Sequence, residues 1–129
     1  MQIGFTGTRK KLSYHQAVGI HDFLRDLPAG NHTLHHGDCI SADQTAGVWA
    51  QHYGLQVVIH PPTDPKFRGF ASYGLILPKK PYLQRNHDIV DQTEMLLATP
   101  DGPETQRSGT WATVRYARKK GKPVVIILP

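Results

Sequence analysis

The chain has 129 residues, a net charge of +5 at pH 7 and a single cysteine, Cys39. This length fits one domain with a core of its own, and no apolar run approaches the roughly 20 residues that a bilayer span needs. The charge favours anionic partners, the lone cysteine excludes an intrachain disulfide, and the N-terminus lacks a signal-peptide layout, so we expect a cytoplasmic protein with no membrane partner.

The first half of the chain alternates short β-rich runs with amphipathic helical patterns, which predicts βαβ units and a parallel sheet. Two capping boxes predict helix starts, one at Ser13 with Gln16 and one at Ser41 with Gln44. Gly54 stands where a C-terminal glycine cap belongs. The predicted strands of this half are Gln2–Thr6, His32–His36 and Gln56–His60.

The second half begins with an irregular segment, residues 61–80, which we expect to close over a ligand. Pro81 predicts the first residue of a third helix, and Ser108 predicts the N-cap of a fourth that ends before Gly121. The last predicted strands are Met95–Thr99 and Lys122–Leu128, the latter a continuous apolar run typical of a strand buried on both faces. The expected fold class is α/β: a Rossmann-like three-layer α/β/α sandwich with a mostly parallel five-stranded sheet.

Chemically distinctive residues follow the predicted strands rather than precede them. In an open parallel sheet, ligands bind outside the carboxyl ends of the strands, near the point where the strand order reverses. Because the distinctive residues all follow strands, we expect them at one edge of the sheet, where they would form a single pocket. The segments that form it are Gly7-Thr8-Arg9, His36-Gly37-Asp38-Cys39 with Asp43, His60-Pro61-Pro62, and Arg107-Ser108-Gly109-Thr110.

Arg107-Ser108-Gly109-Thr110 is the strongest local motif. A glycine between two hydroxyl residues at a helix N-terminus offers free N–H groups and a positive dipole end, which suit a phosphate. Arg9 and Arg107 would add charge, Arg9 as a bidentate fork. A Ser-capped helix without a ligand explains the same residues, and Arg85 could equally point into the cleft or into solvent.

The turn after the second strand leaves several interpretations open. Asp38 and Asp43 are candidate catalytic groups or ribose ligands, although both also suit ordinary helix capping. A zinc site is disfavoured, because adjacent strand residues such as His35 and His36 point to opposite faces of the sheet. Its ligands would come from His35, His36, Asp38, Cys39 and His60. Cys39 as a nucleophile would need His36 or His60 as its base. We therefore predict neither a metal nor a resident cofactor.

Together these stretches resemble the SLOG superfamily, the Rossmannoid proteins related to the cytokinin-activating LOG enzymes and to the DNA-processing protein DprA, and in particular its small stand-alone branch. The resemblance implies one SLOG-like domain over residues 1–129, a nucleotide-derived ligand, and a homodimer or higher homo-oligomer. The matching segments are Gly4–Arg9, His35–Asp43, His60–Pro61, Arg85–Val90 and Arg107–Thr113.

The resemblance is weaker for chemistry. LOG enzymes hydrolyse the N-glycosidic bond of nucleoside monophosphates with a glutamate, but Thr113 stands at that position here, so Asp38, Asp43 or Glu104 would have to replace it. The leading hypothesis is a binding or sensing protein for a nucleotide or ADP-ribose-like ligand. The alternatives are an N-glycoside hydrolase acting on nucleoside 5'-monophosphates and a single-stranded nucleic-acid binder, which the dispersed cations disfavour.

Overall fold

A computed structural model describes residues 1–129 and has six strands and four helices. The strands are all parallel and lie in one sheet, which confirms the predicted Rossmann-like α/β class. None of the helices is long and apolar enough to cross a membrane. In chain order the elements are β1 (Gln2–Gly7), α1 (Tyr14–Arg25), β2 (Thr33–His36), α2 (Ala42–His52), β3 (Gln56–Ile59), β4 (Leu75–Ile76), α3 (Tyr82–Asp91), β5 (Met95–Thr99), α4 (Gly109–Lys119) and β6 (Val124–Ile126).

The strand order is β4-β3-β2-β1-β5-β6. From β1 the chain moves outward to β4, then returns and continues on the other side of β1 through β5 and β6. Ile3 of β1 pairs with Leu34 of β2 and with Met95 of β5. The strand order therefore reverses between β1 and β5, and the carboxyl ends of these two strands mark the expected ligand position.

Two apolar clusters lie on the two faces of the sheet. One joins Ile3 and Phe5 of β1 to α1 and α2, and the other joins Leu96 and Ala98 of β5 to α3 and α4. Leu97, which lies between Leu96 and Ala98 in β5, belongs to the first cluster, because successive strand side chains point to opposite faces of the sheet. This alternation produces the three-layer arrangement.

The helix starts predicted at Ser13, Ser41 and Ser108 are confirmed. Gln16 N–H donates to Ser13 Oγ at 3.0 Å, and Ser13 N–H donates to Gln16 Oε1 at 3.3 Å. At α2, Ser41 N–H donates to Gln44 Oε1 at 2.9 Å. Gly54 follows α2 with a φ of +79°, a left-handed conformation that glycine adopts without strain.

Three expectations need correction. The sheet has a sixth strand, because Leu75 and Ile76 of the irregular segment pair with Val58 and Ile59. The last strand is shorter than predicted and lies at the sheet edge, where Val125 remains 40% exposed, so its apolar run is not buried on both faces. Pro81 is the N-cap of α3 rather than its first residue.

Candidate functional site

A cavity of about 560 Å³ opens at the carboxyl ends of β1 and β5, where the strand order reverses. Its volume lies in the range of small-molecule sites. The wall comes from the turn after β1, the β2–α2 turn, one face of α3 and the β5–α4 loop. The lining residues are Phe5, Thr6, Gly7, Thr8, Arg9, Lys10, Gly37, Cys39, Asp43, Tyr82, Arg85, Asn86, Ile89, Asp101, Thr105, Arg107, Ser108, Gly109 and Thr110.

The start of α4 forms one side of the cavity. Ser108 Oγ accepts the Trp111 N–H at 3.1 Å, and the Ser108 carbonyl accepts the Ala112 N–H. The N–H groups of Gly109 and Thr110 have no partner within the protein. A β-carbon added at Gly109 would meet no atom within 4 Å. This helix end therefore offers two free donors and open space beside them.

The turn after β1 forms the adjacent wall. Thr8 N–H donates to the Thr99 carbonyl at 2.9 Å, which joins the ends of β1 and β5. A β-carbon at Gly7 would clash with Thr99 Oγ1 and Ala42 Cβ, so packing between the strand end and α2 requires this glycine. Arg9 is exposed at the cavity rim and forms neither a hydrogen bond nor an ion pair with the protein; its guanidinium carbon lies 4.1 Å from the centre of the Phe67 ring.

Asp43 lies at the back of the cavity. Its Oδ2 accepts the N–H groups of Gly37 at 3.0 Å and Cys39 at 3.1 Å, whereas its Oδ1 accepts no hydrogen bond from the protein. Burial raises the pKa of the Asp43 carboxyl to about 6, against the opposing charge of Arg85 and the two N–H donors. A carboxyl group with such a pKa can hold or release a proton near neutral pH.

Asp38 has a different position from the one the sequence suggested. Its side chain does not line the cavity: Oδ2 accepts Arg68 Nε at 2.7 Å and Oδ1 accepts the Ala71 N–H at 2.8 Å. Both oxygens are therefore occupied in anchoring residues 68–71. Of the two candidate catalytic carboxylates, only Asp43 faces the pocket.

Arg85 enters the cavity from α3 and is only 4% exposed. Its Nη1 donates to the carbonyls of Gly37 and His60, its Nε donates to Asn86 Oδ1 at 2.7 Å, and its Nη2 lies 3.8 Å from Cys39 Sγ. No carboxylate lies within 4 Å of the guanidinium. Arg85 thus holds the ends of β2 and β3 together and keeps an N–H of Nη2 available to the pocket.

Cys39 lines the cavity but does not have the properties of a nucleophile. Burial, followed by the nearby Asp43 charge, raises the pKa of the Cys39 thiol to about 11. The thiol is therefore protonated at neutral pH, whereas nucleophilic attack requires the thiolate.

The histidines of the strand ends do not line the pocket. His35 Nδ1 lies 2.9 Å from His60 Nε2, and its Nε2 lies 2.7 Å from Gln2 Oε1. His36 Nδ1 accepts the Asp38 N–H, and its Nε2 lies 3.3 Å from Tyr73 Oη. The His60 side chain, expected to contact a ligand, therefore does not line the pocket; its carbonyl instead accepts a hydrogen bond from Arg85.

Thr113, Glu104 and the 61–80 segment all lie outside the lining of the cavity. Thr113 is buried, and its Oγ1 donates to the Gly109 carbonyl at 2.9 Å, so it shapes the first turn of α4 from outside the cavity. Glu104 pairs with Arg115 at 3.0 Å and does not line the pocket, so it cannot replace the missing glutamate. No residue of the 61–80 segment lines the cavity.

Several lining residues were missed from the sequence, although a signal for some of them exists. Tyr82, Asn86 and Ile89 were missed, although they share one helical face with Arg85, which the sequence did offer as a candidate, and all four line the cavity. Asp101 and Lys10 form an ion pair of 3.2 Å at the rim. No sequence pattern predicted that pair, because it joins two loops far apart in the chain.

These features define a Rossmann-like α/β protein with a polar, cation-rich pocket at its switch point. No family model and no curated protein matches the sequence. Among solved structures, the molybdenum cofactor binding protein of Rippkaea orientalis is 18% identical and has a TM-score of 0.78 over 99% of this chain and 76% of its own. The molybdenum cofactor carrier protein of Chlamydomonas reinhardtii is 21% identical, with a TM-score of 0.73 over 99% of this chain and 77% of its own.

A third structure, the structural genomics target TM1055, is 13% identical, with a TM-score of 0.65 over 95% of this chain and 71% of its own. At such identities the likeness concerns the fold. It supports the Rossmann-like assignment along nearly the whole chain.

Proposed function

We propose that this protein binds a phosphorylated small molecule of the nucleotide type in the switch-point pocket, as a binding or sensing protein of the SLOG class that forms one unit over residues 1–129. One observation carries the proposal. Arg9, Arg85 and Arg107 share one cavity, and none of them is paired with a carboxylate. Unpaired arginines in a concave site favour an anionic ligand, and the planar guanidinium suits phosphate.

In this proposal the pocket has two parts, one with hydrogen-bond donors and one with a free acceptor. The N–H groups of Gly109 and Thr110, with Arg107 beside them, form a seat for a phosphate at the positive end of the α4 dipole. Asp43 Oδ1 is the free acceptor at the back, where a sugar hydroxyl would donate to it. Tyr82 provides the aromatic surface at the wall.

Two alternatives to this proposal have specific support, one a hydrolase activity and the other a different ligand. The pKa of about 6 at Asp43 favours the hydrolase alternative, because an acid or base in N-glycoside cleavage needs a carboxyl group that exchanges protons near neutrality. The shared fold with cofactor-binding proteins from Rippkaea orientalis and Chlamydomonas reinhardtii makes the molybdenum cofactor a second candidate ligand.

The test is a thermal-shift and calorimetric panel of AMP, ADP-ribose, adenosine, inorganic phosphate, molybdenum cofactor and a short single-stranded oligonucleotide. We expect AMP or ADP-ribose to raise the Tm and adenosine to have a much smaller effect, because a ligand that binds only the folded state stabilises it. Arg107→Gln should weaken AMP binding roughly tenfold, about the effect of one lost charged hydrogen bond. Lys119→Gln, an exposed cation near the other end of α4, should leave it unchanged.

Each alternative has its own outcome. Free adenine released from AMP, and lost in Asp43→Asn but not in Glu104→Gln, would replace the binding hypothesis with hydrolysis. Preferential stabilisation by molybdenum cofactor would change the ligand, and oligonucleotide binding with steep salt dependence would indicate nucleic acid. No stabilisation by any phosphorylated compound would contradict the pocket assignment.

A further inference from the structure

Arg9 at the cavity rim is held by an aromatic ring instead of by hydrogen bonds. Its guanidinium carbon lies 4.1 Å from the centre of the half-buried Phe67 ring. No atom of the Arg9 side chain is within hydrogen-bond or ion-pair distance of another protein group. A guanidinium stacked on a ring keeps the N–H groups around its edge free.

The backbone that carries Phe67 is hydrogen-bonded to the β2–α2 turn. Ile40 N–H donates to the Phe67 carbonyl at 3.0 Å, and Gly69 N–H donates to the Asp38 carbonyl at 2.6 Å. The Asp38 carboxylate, buried beneath them, accepts Arg68 Nε and the Ala71 N–H. Residues 67–71 are therefore tied to the turn that also contributes Gly37 and Cys39 to the cavity.

This arrangement reduces the freedom of a long exposed side chain. An unrestrained arginine loses rotamer freedom when it binds a ligand, and this loss weakens binding. A ring that already holds the guanidinium lowers that cost while leaving its donors available. The contact also links the 61–80 segment to the pocket, which no residue of that segment lines directly.

We propose that Phe67 is a positioning residue for ligand binding: its ring holds the Arg9 guanidinium at the cavity rim with its N–H groups free for a ligand phosphate. The inference rests on the proposed function, because it assumes that a phosphate enters this pocket.

Phe70 provides a matched control in the same segment. It is more exposed than Phe67, and its ring contacts the guanidinium of Arg68, 4.6 Å away. Neither Phe70 nor Arg68 lines the cavity. Lys66 Nζ also lies near Phe67, 5.1 Å from the ring centre, so the test must separate the Arg9 contact from that one.

The experiment measures AMP and adenosine affinities by calorimetry for wild type, Phe67→Leu, Phe67→Tyr, Phe70→Leu and Arg9→Ala, and for Phe67→Leu combined with Arg9→Ala. Phe67→Leu should weaken AMP binding roughly two- to fivefold, the size of an exposed cation–π contact. Phe67→Tyr keeps the ring and should retain the affinity, and Phe70→Leu should have no effect. With Arg9→Ala present, Phe67→Leu should change the AMP affinity little further, which isolates the pair. Adenosine binding should be unaffected throughout.

A second measurement needs no ligand. The ¹⁵N relaxation of Arg9 Nε should show an ordered side chain in wild type and in Phe67→Tyr, and a mobile one in Phe67→Leu. An unchanged Arg9 mobility in Phe67→Leu, or wild-type AMP affinity in that variant, would overturn the inference. Failure of wild type to bind any phosphorylated compound would instead contradict the proposed function, so that the two failures are distinguishable.

Discussion

The β2–α2 turn and the β5–α4 loop both contribute to the pocket, but they differ in how their polar groups are used. In the first, residues 36–39 and Asp43 are buried, and the two carboxylates accept hydrogen bonds from within the protein. In the second, most of residues 101–109 are exposed, and Arg107 and the N–H groups of Gly109 and Thr110 have no internal partner. The first region therefore maintains the shape of the pocket and leaves Asp43 Oδ1 as a free acceptor, whereas the second leaves a cation and two N–H donors free for a ligand.

The comparison explains why similar residue types carry different roles. Mutation of a buried polar group that is hydrogen-bonded within the protein should lower stability. Mutation of an unpartnered polar group at the rim should instead lower the affinity for a ligand. Substitutions in the two regions should separate these two effects.

Acid should destabilise the buried region most. Burial lowers the pKa of His35 and His36 to about 4 and of His60 to about 3. Because an unfolded histidine titrates near 6.5, the unfolded state binds more protons as the pH falls from about 6.5 toward 4, and stability is lost in that window. Asp43, with its pKa raised to about 6, has the opposite effect between about 6 and 4.

Since three histidines oppose one carboxyl, we expect a net loss on the order of 6 kcal/mol between pH 7 and pH 4. Urea unfolding at a series of pH values measures it. His15→Gln, at an exposed position, should leave the profile unchanged, and a stability that does not fall over this range would contradict the assignment of neutral buried histidines.

Removing the guanidinium of Arg85 should have the next largest effect. Arg85→Met leaves the carbonyls of Gly37 and His60 without their donor inside the protein, and we expect a loss of about 3 kcal/mol in the free energy of unfolding. Denaturant titration against wild type and against Lys119→Met as a surface control measures it. A loss below about 1 kcal/mol would mean that Arg85 is not a structural tie.

Asp38→Asn should destabilise the turn by about 2 kcal/mol, since the variant loses the ion pair with Arg68 but can still accept the Ala71 N–H. The released segment should also be cleaved faster by trypsin after Lys66 or Arg68, which mass spectrometry of the fragments locates. Glu104→Gln serves as a control for the loss of an exposed carboxylate. Equal cleavage rates in Asp38→Asn and wild type would contradict the anchoring role.

The smallest effect on stability is expected at Gly109. A β-carbon there meets no atom within 4 Å, so Gly109→Ala should change the unfolding free energy by less than about 0.5 kcal/mol while weakening AMP binding by crowding the free N–H groups. Gly37→Ala is the matched contrast, because its β-carbon would clash with the Arg85 guanidinium at a cost of about 1–3 kcal/mol. The prediction fails if the two glycine variants are equally stable.

Much of the architecture could be predicted from local patterns. The capping box at Ser13, the glycine cap at Gly54 and the alternation of strands with helices depend on residues close in sequence, and each is confirmed. β4 was missed, because two exposed residues, Leu75 and Ile76, carry no periodic signal and form a strand only by pairing with β3. The edge position of β6 likewise depends on the strand order.

The sequence by itself determined the α/β class and the clustering of polar residues at the strand ends, since β-propensity, helix caps and connection lengths are local properties. Only the tertiary structure decided which of those residues face the pocket. Asp38 and Asp43 lie only five positions apart, in the β2–α2 turn and at the start of α2, yet Asp38 anchors Arg68 while Asp43 keeps an oxygen free in the cavity. Asp43 accepts the N–H groups of Gly37 and Cys39, which are close in sequence, whereas the partner of Asp38 is Arg68, thirty positions away. Only the packing of the 61–80 segment against the sheet brings Arg68 to Asp38, so local sequence could not show which carboxylate keeps a free oxygen.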